Sequence, residues 1–155
     1  MDQSKTKNSN AYLETKVLTA SPEQLQLMLY DGAIRFCEQA RAAVHDKKIE
    51  QSFNLITKAE NIIMEMLNSL RDEFAPETCA NMRRLYVFCY DRLVDANMKK
   101  APEPLDEALA VLRQMRETWL LLIEKLKGEK TNPLPVTPDP KSDDPRLGTT
   151  VSLEG

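Results

Sequence analysis

Apolar residues recur with the 3.6-residue period of an α-helix through four segments of the chain. The segments begin at Ser21, at about Lys48, at Pro76 and after Pro102. None shows the sustained alternation of apolar and polar residues that is typical of a strand. The joints between segments are short, which forces successive helices to run in opposite directions. The pattern predicts an all-α fold, an antiparallel up-down four-helix bundle over residues 21–128.

The first segment contains the pair Asp31-Gly32, which is typical of a hairpin turn. The helical period continues through the pair, so one uninterrupted helix is predicted. Glycine costs about 1 kcal/mol relative to alanine inside a helix, and we therefore expect a neighbouring helix or a bulky ring to approach Gly32 closely. A tolerated defect is the alternative. Ser21 and Gln24 stand at the N-cap and N3 positions of a capping box.

Two segments carry more apolar positions than one core-facing stripe needs. On the first, Leu25, Leu29 and Phe36 are predicted to face the core, and a second stripe lies roughly half a turn away. Exposed apolar patches usually mark interaction sites, so this surplus is expected to be covered by the N-terminal arm, by a second copy of the chain or by a partner. Burial at the flanks of a thick bundle is the alternative. The predicted partner-binding residues are Tyr12, Val17, Leu27, Tyr30, Ile34, Tyr86, Val87, Tyr90, Val94 and Leu121.

The two ends of the chain differ from the helical segments. Residues 1–20 are polar and weakly patterned, which predicts a flexible N-terminal arm. Residues 129–155 contain five of the nine prolines and almost no periodicity, which predicts a disordered tail. A docking segment at residues 134–136 is the alternative for the tail.

Composition narrows the classes of partner. The net charge is −3 and basic residues are interspersed with acidic ones, so nucleic-acid binding is not expected. The first twenty residues contain no apolar run of the kind found in signal peptides. Apolar runs such as residues 119–123 are too short to insert into a membrane. A cytoplasmic protein is predicted.

The residues of catalytic and metal sites are scarce. The three cysteines lack C-x-x-C spacing, so neither a disulfide framework nor a zinc site is predicted. His45 is the only histidine, whereas a di-iron bundle needs two Glu-x-x-His motifs. We predict no enzyme and no cofactor. The least favoured alternative is a small all-helical enzyme whose carboxylate site uses some of Arg35, Arg84, Arg92, Arg113 and Arg116.

A series of short motifs gives the chain a resemblance to a known family. The motifs are N-A-Y at 10–12, T-A-S-P-E-Q-L at 19–25, L-Y-D-G-A-I at 29–34, K-A-x-x-I-I at 58–63, L-Y at 85–86, L-V-x-A-N at 93–97 and L-R-x-x-R-x-x-W at 112–119. In order and spacing the chain resembles the flagellin export chaperone family, FliS, from residue 10 to about residue 127.

The resemblance implies a helical bundle that binds the C-terminal, aggregation-prone part of flagellin in the cytoplasm. It implies that the protein prevents premature polymerisation and delivers flagellin to the type III flagellar export gate. In the family, the segment around the A-Y motif can lie over the cargo surface, which points to Tyr12. The chain departs from the family in having Ala101-Pro102 where an acidic residue is expected, and in its longer tail. A homodimer without cargo, in which the surplus apolar stripes pair with each other, is the competing hypothesis.

Overall fold

The computed structural model describes the backbone of residues 2–131 and the side chains of residues 9–128. The described part of the chain is helical and contains no strand, which confirms the all-α prediction. It comprises five helices: α1 (Asp2–Thr19), α2 (Pro22–His45), α3 (Ile49–Asn68), α4 (Pro76–Lys99) and α5 (Pro102–Thr131). The disordered tail and the docking segment predicted at residues 134–136 lie outside the described residues.

The N-terminal arm differs from the prediction because residues 2–19 form α1. The segment lacks a stripe of apolar residues, which is why the hydrophobic pattern missed it. Its composition nevertheless suits a helix, since Ala11, Leu13, Glu14 and Lys16 are all good helix formers. Helical propensity without an apolar face therefore produced a fifth helix.

The start of α2 has the predicted capping box. The backbone N–H of Gln24 donates to Oγ of Ser21 at 3.1 Å, and the backbone N–H of Ser21 donates to Oε1 of Gln24 at 3.2 Å. Pro76 and Pro102 begin α4 and α5, where the missing N–H of proline removes no intrahelical hydrogen bond.

Two helices end in lysines that adopt left-handed backbone conformations. Lys47 follows α2 with φ 58°, and Lys100 follows α4 with φ 51°. At the first turn, the N–H of Lys48 donates to the carbonyl of Ala43 at 2.8 Å, and at the second the N–H of Lys100 donates to the carbonyl of Ala96 at 2.8 Å. These bonds satisfy carbonyls that a helix end leaves free, and they reverse the chain within a few residues.

Residues up to Leu120 form one compact unit, and the packing described below lies within it. Residues from Leu121 onward form a second unit, of which the C-terminal part of α5 is described. The core of the first unit contains the fully buried Tyr30, Tyr86 and Leu93 together with aliphatic residues of α3 and α5.

Gly32 confirms the predicted packing role of the Asp-Gly pair. It is buried inside an unbroken α2, and a Cβ built on it would lie 3.1 Å from Cδ1 of Ile62 on α3. The absence of a side chain therefore lets α3 approach α2 closely at this point.

Contacts between α2 and its two neighbours pair residues in opposite chain order. Toward α3, Gly32 faces Ile62 and Phe36 faces Lys58. Toward α5, ion pairs join Arg41 to Asp106 at 2.5 Å and Glu38 to Arg113 at 2.7 Å, and Asp31 also pairs with Arg116. The α2 helix consequently lies between α3 and α5.

The α3 and α4 helices also run in opposite chain order. The ammonium of Lys100 lies 5.6 Å from the ring centre of Phe53, and Arg83 pairs with Asp72 at 3.0 Å. These two contacts tie the start of α3 to the end of α4, and the loop after α3 to the first half of α4.

Candidate functional site

Three of the predicted partner-binding residues are buried, which corrects the prediction for Tyr30, Ile34 and Tyr86. The physical reason is that Tyr30 of α2 and Tyr86 of α4 contact each other inside one core cluster, to which Ile34 also belongs. The second apolar stripe of α2 is therefore buried partly against α4 and does not require an external partner. Leu25, predicted to face the core, is instead exposed.

The buried tyrosines form a small polar network inside the core. The hydroxyls of Tyr30 and Tyr86 are hydrogen-bonded at 2.7 Å, and Nε2 of Gln26 donates to the Tyr86 hydroxyl at 3.1 Å. Burial raises the pKa of both phenols above their ordinary value. The network links α2 to α4 and satisfies polar groups that would be costly to bury alone.

The outer side of α4 carries three more of the predicted residues. Val87 is exposed, Tyr90 and Val94 are half-buried, and Met98 continues the same strip as an exposed residue. Their spacing of three and four residues places them on one side of the helix. This strip was predicted from the pattern of α4, and the structure leaves its residues half-buried or exposed.

The strip lies on the side of α4 that faces α3, and the surface between the two helices is named the α3–α4 groove. The contacts of Phe53 with Lys100 and of Asp72 with Arg83 set the register of the two helices, which places Glu60 and Met64 of α3 beside the strip. The α3–α4 groove is defined here by Glu60, Met64, Val87, Tyr90 and Val94.

The carboxyl group of Glu60 is the polar element of the α3–α4 groove. It is half-buried, and burial raises its pKa above the ordinary value. Met64 is exposed beside it and adds a flexible apolar side chain, of the kind that adapts to varied partners. The groove is therefore mainly apolar, with one acidic group that could accept a hydrogen bond from a bound segment.

The apolar side chains of α1 are exposed. Tyr12 has an exposed fraction of 67% and Val17 of 43%. Leu13 and Leu18 are exposed as well, and the predicted set did not include them. Residues 9–19 thus bring four apolar side chains to solvent on a single helix.

The other two predicted residues differ in their surroundings. Leu27 is half-buried on the first half of α2, and Leu121 is exposed at the start of the second unit. The structure does not bring Leu27 into the α3–α4 groove. Sequence reasoning also missed Phe88, an exposed ring of α4 on which the guanidinium of Arg92 stacks at 6.0 Å.

The groups considered for catalysis lie apart. His45 is exposed and its Nδ1 lies 3.2 Å from Oδ1 of the adjacent Asp46. The arginines are spread over the surface, and Arg92, Arg113 and Arg116 each pair with a carboxylate. Within the described residues there is no group of side chains that could hold a metal ion.

Two buried thiols lie in the core. Burial raises the pKa of Cys37 and of Cys89 to about 12, which keeps both thiols protonated and unreactive at neutral pH. The helices of the described part are too short or too polar to cross a membrane.

Comparisons with known proteins point to one family. A family model described as flagellar protein FliS matches residues 5–126. The flagellar secretion chaperone FliS of Bacillus subtilis is 32% identical over 120 residues, covering 77% of this chain and 89% of the relative. The flagellar secretion chaperone FliSB of Pseudomonas aeruginosa is 34% identical over 107 residues, covering 69% and 85%.

A solved structure agrees at the level of the fold. It is described as a crystal structure of a flagellar chaperone from bacteria, and it covers 78% of this chain and 98% of its own length with a TM-score of 0.64 at 15% identity. The family model spans most of the helical part of the chain, and the relatives are similar over most of their own length. The chain belongs to the flagellar protein FliS family.

Proposed function

We propose that this protein is a cytoplasmic export chaperone that binds the C-terminal region of flagellin and prevents its premature polymerisation. It then delivers flagellin to the flagellar type III secretion apparatus. The relatives are named flagellar secretion chaperones, and the observation that carries the proposal is the partly exposed apolar strip of α4 on a chain of their family. The protein acts by binding, and catalysis has no part in its role.

The proposed architecture is an antiparallel up-down four-helix bundle formed by α2 to α5, with α1 added at its N-terminal side. The opposite chain order of the contacts between α2 and α3, α3 and α4, and α2 and α5 supports this arrangement. Such a bundle presents long shallow grooves between neighbouring helices, which suit an amphipathic helix of a partner.

The proposed cargo site is the α3–α4 groove. A flagellin segment that folds on binding loses conformational entropy, so it needs a long apolar surface to compensate. Val87, Tyr90 and Val94 provide apolar area that the protein's own helices leave partly open. The tyrosine adds a hydroxyl, because Tyr90 is amphipathic and can contact both apolar and polar groups.

The α1 helix is proposed to act as a movable cover. Tyr12 and Val17 expose apolar side chains in this structure, so α1 has an apolar surface available for contact with a groove or with cargo. We expect Tyr12 to shield apolar surface in the free protein and to move aside for flagellin. If Tyr12→Ala changed neither flagellin affinity nor the binding of a dye that reports exposed apolar surface, this role would be excluded.

The test of the cargo site compares two substitutions on α4. Val87→Glu places a charge in the groove, whereas Leu85→Glu places the same charge at a site of matched exposure, 41% against 43%. The two positions lie about 200° apart around the helix, at about 100° per residue. Val87→Glu is expected to weaken flagellin binding about tenfold, equivalent to about 1.4 kcal/mol, with little effect of Leu85→Glu.

Flagellin lacking its C-terminal region is the control for the cargo. It should be lost from co-purification with the wild-type chaperone, while full-length flagellin is retained. Equal recovery of both would contradict binding through the C-terminal region of flagellin.

Sedimentation of the isolated protein distinguishes the export chaperone from the competing hypothesis. A stable dimer that does not bind flagellin would indicate a homodimer without cargo. Delivery is tested by binding of the chaperone–flagellin complex to the purified cytoplasmic part of the export gate.

A further inference from the structure

A pocket lies where α2 ends, α3 begins and α4 ends. Its volume is about 160 Å³, and its wall consists of Ala43, Val44, Lys47, Lys48, Ile49, Ser52 and Lys100. The hydroxyl of Ser52 is buried and donates to the carbonyl of Ile49 at 2.8 Å. The wall is therefore apolar apart from the lysines, and we refer to it as the lysine pocket.

The lysines of the pocket lack acidic partners within the described residues. Lys47 and Lys48 form no ion pair there. The ammonium of Lys100 donates to the amide oxygen of Asn97 at 2.7 Å and lies over the ring of Phe53. Three positive charges thus surround an apolar depression without a carboxylate to neutralise them.

Stabilisation of helix ends accounts for the positions of two of the three lysines. Lys47 and Lys100 follow the C-terminal ends of α2 and α4, where a positive charge complements the helix dipole. Lys48 instead precedes α3 as its N-cap and makes no side-chain capping bond. A positive charge is unfavourable at that end, and Ser, Thr, Asp or Asn would stabilise the helix better.

Large apolar side chains are exposed beside the same lysines. Ile49 belongs to the pocket wall and has an exposed fraction of 63%, and Phe53, under the ammonium of Lys100, has 51%. Apolar area next to unpaired positive charge matches a ligand that combines an apolar group with carboxylates.

We propose that the lysine pocket binds an acidic segment of a partner protein other than flagellin, in which one large apolar side chain is flanked by carboxylates. The apolar side chain enters the pocket and covers Ile49, and the carboxylates pair with Lys47, Lys48 and Lys100. The pocket lies at the ends of the helices, whereas the α3–α4 groove runs along their sides. The second partner therefore binds while flagellin occupies the groove.

The test uses the full-length protein and a fluorescently labelled acidic peptide with a single central phenylalanine. Fluorescence anisotropy is expected to show saturable binding that weakens as the salt concentration rises. Lys48→Glu is expected to weaken binding about tenfold, and Ile49→Ser should also weaken it. Lys58→Glu is the matched control, because Lys58 is an exposed lysine of α3 without an ion pair in the described part and lies over Phe36, away from the pocket.

Variants of the peptide test the apolar contact and the charge contact of the proposal separately. A peptide with serine in place of phenylalanine, and one with glutamine in place of glutamate, should each bind more weakly than the parent. The parent peptide should bind equally well to the chaperone and to its complex with flagellin. No binding of the parent peptide, equal effects of Lys48→Glu and Lys58→Glu, or displacement of the peptide by flagellin would each overturn the proposal. Retained flagellin binding by Lys48→Glu shows that this variant is folded.

Discussion

The hydroxyl of Tyr86 offers the sharpest test of the energetics of the core. It is fully buried, bonded to the Tyr30 hydroxyl at 2.7 Å and accepts a bond from Gln26. Tyr86→Phe removes one oxygen and leaves the buried Tyr30 hydroxyl without this partner. A buried polar group left unpaired costs about 1–3 kcal/mol.

The double substitution should lower the free energy of unfolding by less than the sum of the two single substitutions. Tyr86→Phe strands the Tyr30 hydroxyl, and Tyr30→Phe removes one of the two partners of the Tyr86 hydroxyl, which keeps its bond from Gln26. The double variant leaves only the amide of Gln26, which is half-buried and closer to water. We expect a coupling energy of about 1 kcal/mol in a double-mutant cycle. For a chain of this size, 1 kcal/mol corresponds to about 2–4 °C in melting temperature.

Urea unfolding followed by circular dichroism measures these free energies. Tyr90→Phe is the matched control, since Tyr90 is a half-buried tyrosine of the same helix whose hydroxyl has no hydrogen-bond partner in the described part. It should change the free energy of unfolding by less than about 0.5 kcal/mol. Additive effects of the two core substitutions would refute the reasoning that the hydroxyls stabilise each other.

Three other outcomes follow from local features of the structure. Ser21→Ala should lower the free energy of unfolding by about 1 kcal/mol through loss of the capping box, as measured by urea titration. Gly32→Leu should cost about 1–3 kcal/mol because its side chain meets Ile62, whereas a cost near zero would show that the close approach is unimportant. Burial raises the pKa of Cys37 and Cys89 from 9.0 to about 12, so the folded state holds more protons between these pH values. This contribution to the free energy of unfolding should be fully present below pH 9.0. It should fall toward pH 12 by at most about 1.4 kcal/mol per pH unit for each thiol. The double variant Cys37→Ala/Cys89→Ala should show a smaller slope of the free energy of unfolding against pH.

The periodicity of the sequence predicted features that depend on neighbouring residues. The capping box of Ser21 and Gln24 is local, because both partners lie within one turn. The notch at Gly32 was predicted from the cost of glycine in a helix, although the sequence could not name Ile62 as the side chain that fills it. The helical segments themselves followed from the 3.6-residue period.

The assignment of surfaces could not be obtained from one helix at a time. A wide apolar face on α2 is compatible with a core and an open site, or with cover by several neighbouring helices. Only the arrangement of α3, α4 and α5 decides between these two cases. Tyr30 and Ile34 were therefore misplaced, while Val87 and Val94 lie on a side of α4 that the structure leaves partly open. The α1 helix was missed for the complementary reason, since propensity without an apolar stripe gives no periodic signal.

The single tryptophan of the chain occupies an informative position. The indole N–H of Trp119 donates at 2.9 Å to the carbonyl of Glu23, a residue 96 positions earlier in the chain. The two residues are far apart in sequence, so formation of this bond closes a large loop. The native emission of Trp119 is consequently an unlabelled optical reporter of whether this residue is in contact with the first turn of α2. Comparing that emission with the helical signal during unfolding would show whether these two segments separate before, or together with, the loss of the helices.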